Sequence, residues 1–178
     1  RAVAGALHQN ASPAMIGFFR TLTYLGSEGV IAAGFVFSLG CVVRKRWRAL
    51  IGWTVDLTGG AILNALLKSL FTRPRPTFED PVATASGFSF PSGHAMSSWI
   101  AAGMLLYFLA SVIRDDRRRL LVIAIALVGC VLIGFSRLVL GVHYLSDVIA
   151  GFAAGTLWLG LCVAALELTR QRPPPAMT

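Results

Sequence analysis

At 178 residues, with 56% hydrophobic side chains and a mean hydropathy of +0.71, the chain is too apolar for a water-soluble domain, and its apolar runs reach the ~20 residues that cross a hydrocarbon core. A formal net charge of +8 comes from 16 Lys and Arg against 8 Asp and Glu, but the cations crowd into short loops between apolar runs, a mark of membrane topology that argues against a nucleic-acid partner. The expectation is an all-α fold, a polytopic membrane helical bundle.

In chain order, Ser12-Pro13 has the form of a helix cap followed by proline in the first turn, and Met15, Phe18, Phe19, Leu22 and Leu25 recur near helical spacing. Residues 1–26 are expected as an extracytoplasmic, interfacial segment whose tilted helix feeds the first span, with Arg20 at the water boundary. The combination of charged start, short apolar core and small-residue cleavage site that marks a signal peptide is missing. Spans are predicted over 27–43, 49–71, 95–113, 120–138 and 146–169, with 171–178 as a cytoplasmic tail. No repeat or flexible linker divides them, so 1–178 reads as a single membrane-embedded domain. Residue 1 is Arg and five is an odd number of spans, which leaves room for an initial helix upstream.

Charge sets the orientation. Arg44, Lys45, Arg46 and Arg48 fill one short loop, Arg114, Arg117, Arg118 and Arg119 fill another two spans later, and Arg170 and Arg172 follow the last span. The positive-inside rule makes that side cytoplasmic. Lys68, Arg73, Arg75 and Arg137 then fall on the cation-poor side, together with Pro91-Ser92-Gly93-His94 and with His143 and Asp147. Three separate motifs are thus expected to converge outside the cytoplasm of an inner or plasma membrane.

Their chemistry suits a phosphate ester. Such a group carries about −1.5 to −2 charges near neutral pH; Arg75 and Arg137 can clamp its oxygens, Lys68 adds a point charge, Ser92 a hydroxyl donor, and Gly93 lets backbone amides at a helix start come close. His143 and Asp147, four apart at the start of a helix, share a face, so the carboxylate can orient the ring and leave its other nitrogen free as a nucleophile. His94, from a different helix start, is placed to protonate the departing alkoxide.

Taken together, Lys68-Ser-Leu-Phe-Thr-Arg-Pro-Arg75-Pro76, Pro91-Ser-Gly-His94 and Ser136-Arg137-Leu-Val-Leu-Gly-Val-His143-Tyr-Leu-Ser-Asp147 resemble, in order and spacing, the motifs of the type 2 phosphatidic acid phosphatase family, the lipid phosphate phosphatases. The resemblance implies a six-helix membrane core, of which five spans are visible. It also implies a phosphohistidine at His143, leaving-group protonation by His94, phosphate binding by Lys68, Arg75, Ser92, Gly93 and Arg137, and neither cofactor nor metal. Arg73 falls outside the family spacing and is expected only to support the loop.

Other residues have plainer readings. His8 has no evident partner. Glu79 and Asp80 suit a solvated loop better than a gate or an amine-binding site. Asp56 lies about 18 Å from Lys68 at a rise of ~1.5 Å per residue, too far to join the chemistry, and is expected to hydrogen-bond a neighbouring helix beside Gly59-Gly60. Cys41, Cys130 and Cys162 lack metal-ligand spacing and suit packing, while Trp47, Trp53, Trp99 and Trp158 fall near span ends as belt residues do.

The expected function is hydrolysis of a lipid phosphate or diphosphate at the extracytoplasmic face. Undecaprenyl diphosphate ranks first, with phosphatidylglycerophosphate and phosphatidic acid behind it. The alternatives are a phosphotransferase using the same phosphohistidine and a non-hydrolytic protein that binds or transports lipid phosphates. Membrane lipid and the lipid substrate are the expected partners.

Overall fold

The computed structural model describes residues 5–7, 10–78, 83 and 85–170. His8, Glu79, Asp80 and residues 171–178 lie outside them. Six helices are described from Pro13 onward: α1 (Pro13–Thr23), joined through a 3-10 turn (Tyr24–Gly26) to α2 (Glu28–Val43), then α3 (Trp47–Phe71), α4 (Gly93–Ala110), α5 (Asp116–Val139) and α6 (Leu145–Arg170). Among the described residues, five stretches are long and apolar enough to cross a membrane, α1 and α2 counting as one. The chain is a multi-pass integral membrane protein, and the predicted spans match the helices to within a few residues.

Local chemistry explains where the helices begin and end. Ser12 caps α1, its hydroxyl accepting from the Met15 amide at 3.2 Å, with Pro13 in the first turn as expected. Asp115 caps α5 in the same way, accepting from the Arg118 amide at 2.8 Å. Helix α3 stops at Thr72, held left-handed at φ 41°, and Pro74 and Pro76 prevent its continuation.

Small residues let the helices close on one another. Gly59 and Gly60 of α3 meet Trp158 and Ile100, as the sequence suggested. Gly151 and Gly155 of α6 form a second small-residue seam, where α6 runs against the backbone of α4 at Ser92 and Met96.

Basic loops and motifs occupy opposite ends. At the loop end, Arg48 of α3 donates to the Leu166 carbonyl and Thr169 hydroxyl of α6, and Tyr107 of α4 donates to Glu167 at 2.6 Å. Trp53 is 2% exposed in a core cluster with Ala101, Met104 and Cys162, Trp158 packs on Gly59 and Trp99 on Phe152, so of the four only Trp47 keeps a clearly exposed belt-like place. Asp56 is fully buried, but its bond to neighbouring helix α6 runs through its backbone carbonyl, which accepts from Trp158 Nε1 at 2.9 Å. The three cysteines are free and buried, consistent with packing.

Candidate active site

Two helix ends place the reacting groups. Helix α5 terminates in a Schellman motif: the Gly141 amide donates to Leu138 O at 3.0 Å and the Val142 amide to Arg137 O at 3.2 Å, with Gly141 at φ 70° supplying the left-handed turn. The turn reverses the chain, so His143 returns over Arg137 and its own amide reaches Arg137 O at 3.3 Å. The Ser92 amide donates to the Asp147 carbonyl at 2.9 Å, tying the start of α4 to the first turn of α6.

The result is a cavity of about 730 Å³ walled by Lys68, Arg75, Gly93, His94, Arg137 and His143. Six of the eight sequence-predicted residues therefore share one basin. Ser92 and Asp147 are fully buried next to it, supporting its wall from behind. A Cβ on Gly93 would stand 3.2 Å from Asn64 Oδ1, so the close approach there is to a side chain.

His143 is 2% exposed, and its Nε2 lies 3.2 Å from Arg75 Nη1. A guanidinium has only hydrogens to offer, so Nε2 accepts, which assigns the ring proton to Nδ1 on the Asp147 side. Nδ1 stands 3.4 Å from Asp147 Oδ2, an ion-pair distance without hydrogen-bond alignment. The reason is that the carboxylate already has three other donors: Arg73 Nη1 at 2.7 Å on Oδ1, and on Oδ2 the Tyr144 amide at 2.9 Å and the Ser89 hydroxyl. Burial lowers the His143 pKa to about 4; Asp147 opposes this, and the charges of Arg75, Arg137 and Lys68 add to it. The ring is therefore neutral at pH 7. Burial likewise draws Arg75 below the usual guanidinium value.

The cations rest on carbonyls and hydroxyls. Lys68 Nζ donates to Phe88 O at 2.7 Å, and Arg75 donates to Gly87 O, Ser86 O and Val142 O at 2.9 to 3.0 Å. Arg137 Nη1 donates to Thr23 Oγ1 at 2.6 Å, while Arg137 Nε and Ser92 Oγ are buried without a partner among the described residues.

Residues 49–170 match the family model of the PAP2 superfamily. The chain belongs to that superfamily. It is 37% identical over 144 residues to phosphatidylglycerophosphatase B of Bacillus subtilis, covering 76% of this chain and 68% of the relative. It is 33% identical over 166 residues to a decaprenylphosphoryl-5-phosphoribose phosphatase of Mycobacterium tuberculosis, covering 90% and 85%. Its fold superposes on the crystal structure of a transmembrane PAP2-type phosphatidylglycerolphosphate phosphatase from Bacillus subtilis with a TM-score of 0.86 at 31% identity, over 97% of this chain and 86% of that one.

Several features of this PAP2 site escaped the sequence reading. Arg73 does more than support a loop: it grips Asp147 and Ser146 at 2.7 Å each and lies 4.1 Å from the Tyr144 ring centroid. Ser89 carried no motif signal. The turn between α1 and α2 also reaches the basin, with Arg20, Thr23, Tyr24, Ser27 and Glu28 in its wall. It is pinned there by Ser97 Oγ, which donates to Gly26 O at 3.0 Å, and by the Arg137 bond to Thr23. An apolar groove of about 530 Å³ adjoins the basin between α2, α3 and α4, and Ser27, Gly93 and His94 line both.

Proposed function

We propose that this protein hydrolyses phosphate esters of membrane lipids through a phosphohistidine on His143, at the extracytoplasmic face of a bacterial-type inner membrane. The observation that carries the mechanism is the His143 Nε2 contact with Arg75, which leaves that nitrogen's lone pair free of a proton and aimed into a basin of three cations. Phosphate oxygens replace the carbonyl partners of Lys68 and Arg75 and the Thr23 hydroxyl on Arg137, and Arg137 Nε adds a donor with no partner to give up among the described residues. Nε2 attacks phosphorus; the bond to the leaving oxygen breaks with its electron pair, and His94 delivers a proton to that oxygen. Water then attacks the phosphohistidine, giving its proton to His94, the P–N bond breaks, and inorganic phosphate leaves. Asp147, fixed by Arg73, Ser89 and Tyr144, steadies the Nδ1 side of the ring.

The similarity to enzymes named for phosphatidylglycerophosphate and for a decaprenyl-linked phosphoribose supports a lipid phosphate substrate. Phosphoglycerolipids and polyprenyl phosphates or diphosphates are the candidates. The groove beside His94 suits the hydrocarbon of the leaving alcohol, and the basic loops at the opposite end support the extracytoplasmic orientation. Phosphate transfer needs no metal in this scheme, since fixed cations offset the charge.

The test is alkaline quenching of enzyme turning over a radiolabelled lipid phosphate, in detergent with excess chelator, followed by acid treatment of a parallel sample. Wild type should retain an acid-labile, base-stable label that His143→Ala lacks entirely. A turning-over enzyme that retains no label, or equal label in His143→Ala, would remove the phosphohistidine.

A further inference from the structure

The turn between α1 and α2 brings a carboxylate to the place where the leaving group departs. Glu28 is the first residue of α2, is exposed, lines the basin, and accepts a hydrogen bond from the Ser27 hydroxyl. Its field reaches His94, where the other charged or ionisable groups that act are Arg137, His143 and Arg75; Glu28 is the acid in that set. Contacts hold the turn in place. Gly26 sits so close that a Cβ there would be 2.5 Å from Ile133 Cγ2 and 3.4 Å from His94 Cδ2, and Ser97, one turn after His94, bonds the Gly26 carbonyl.

The basin and the apolar groove meet at Ser27, Gly93 and His94. A phosphoryl group held by Lys68, Arg75 and Arg137 therefore has its leaving oxygen at His94, and whatever that oxygen is attached to must cross the threshold beside Glu28 to bring its hydrocarbon into the groove. For a lipid diphosphate, the crossing group is a second phosphate. For a phosphate monoester on a lipid-linked glycerol or sugar, it is the neutral hydroxylated polyol, with the phosphodiester to the lipid several bonds further on.

We propose that Glu28 is a specificity-determining residue of this site: its charge disfavours leaving groups whose second phosphate is bonded directly to the leaving oxygen, and with Ser27 it accepts hydrogen bonds from the hydroxyls of a neutral polyol that separates the leaving oxygen from the rest of the lipid. The inference rests on the lipid phosphatase reading and on His94 as the proton donor to the leaving oxygen. It reverses the order of substrates expected from the sequence, placing lipid-linked polyol phosphomonoesters ahead of polyprenyl diphosphates. Arg20 lies in the same basin wall as an opposite charge.

The experiment compares kcat/KM for a glycerophospholipid bearing a terminal phosphate monoester and for a polyprenyl diphosphate, in mixed micelles of one composition, using wild type, Glu28→Gln and Glu28→Asp. Wild type should prefer the monoester. Glu28→Gln should raise the diphosphate value about three- to tenfold, the order expected on removing one like charge from a solvated position in the basin wall, with the monoester a few-fold lower as the hydroxyl acceptor weakens. Glu28→Asp, which keeps the charge, should retain the wild-type ratio. An unchanged diphosphate value in Glu28→Gln, an equal rise in Glu28→Asp, or loss of both activities in Glu28→Gln would overturn the assignment. Wild type that releases phosphate from neither lipid would instead refute the lipid phosphatase reading itself.

Discussion

Asp147 has more partners than a simple dyad with His143 would need. Its 0% exposed carboxylate is fixed by Arg73, Ser89 and the Tyr144 amide, so the ring meets an anion that cannot turn away. A hydrogen bond to a charged group contributes about 1.5–3 kcal/mol, so Ser89→Ala should lower kcat roughly ten- to a hundred-fold with little change in KM. The effect of Arg73→Ala should be smaller, because that side chain is 34% exposed and water screens the pair. Equal kcat in Ser89→Ala and wild type would separate Ser89 from the chemistry. His143 supplies a second test. Its pKa of about 4 lies below the ordinary imidazole value, so the ring stays unprotonated as pH falls from 7 and gains its proton only near 4. With His8 and His94 replaced by alanine, His143 is the last of three histidines, and its carbethoxylation rate should titrate near pH 4. Adding Arg75→Ala should move the midpoint up, since that cation lowers it, while leaving it below 6.5 because burial is the larger cause.

At the scale of elements, the site depends on helix ends held at close range by glycine. A Cβ on Gly151 of α6 would lie 2.7 Å from the Ser92 carbonyl oxygen and 3.3 Å from the Met96 amide nitrogen, and backbone cannot swing aside as a side chain can. Gly151→Ala should therefore push the start of α4, with His94, away from His143. We expect a loss of about 1–3 kcal/mol in stability, as for other overpacked sites, together with a drop in kcat. Gly129→Ala on α5 meets nothing within 4 Å and should leave activity intact while matching or slightly raising the unfolding temperature in detergent. If both variants behaved alike, the α4–α6 seam would not position the site.

At the scale of the molecule, the three motifs share one end of the bundle and the basic loops the other. The proposed orientation then makes a labelling prediction. In a chain with Cys41, Cys130 and Cys162 replaced, Ser86→Cys should react with an impermeant thiol reagent added to intact cells. Arg46→Cys, in an exposed basic loop, and Arg118→Cys, in the exposed first turn of α5, should react only after permeabilisation. The opposite pattern would place the basin in the cytoplasm. The turn between α1 and α2 matters at this scale too, because it lies N-terminal to the stretch matched by the family model yet forms one wall of the basin.

The sequence by itself determined the helix spans, the shared end of the three motifs and six residues of the basin wall, because apolar run length, loop charge and the four-residue step from His143 to Asp147 are all properties of the chain in one dimension. Only the tertiary structure decided which distant residues complete the site: Ser89 lies 58 positions from Asp147, Arg73 lies 74, and Thr23 lies 114 from Arg137. It also drew Trp53 and Trp158 into the interior and turned the Asp56 interhelical bond into a backbone one. The physical reason is that a bilayer rewards apolar side chains all round a helix, which erases the amphipathic stripe that would show from sequence which face points inward. How each helix is rotated, and so which side chains meet, is left to glycine seams, caps and hydrogen bonds between residues far apart in the chain.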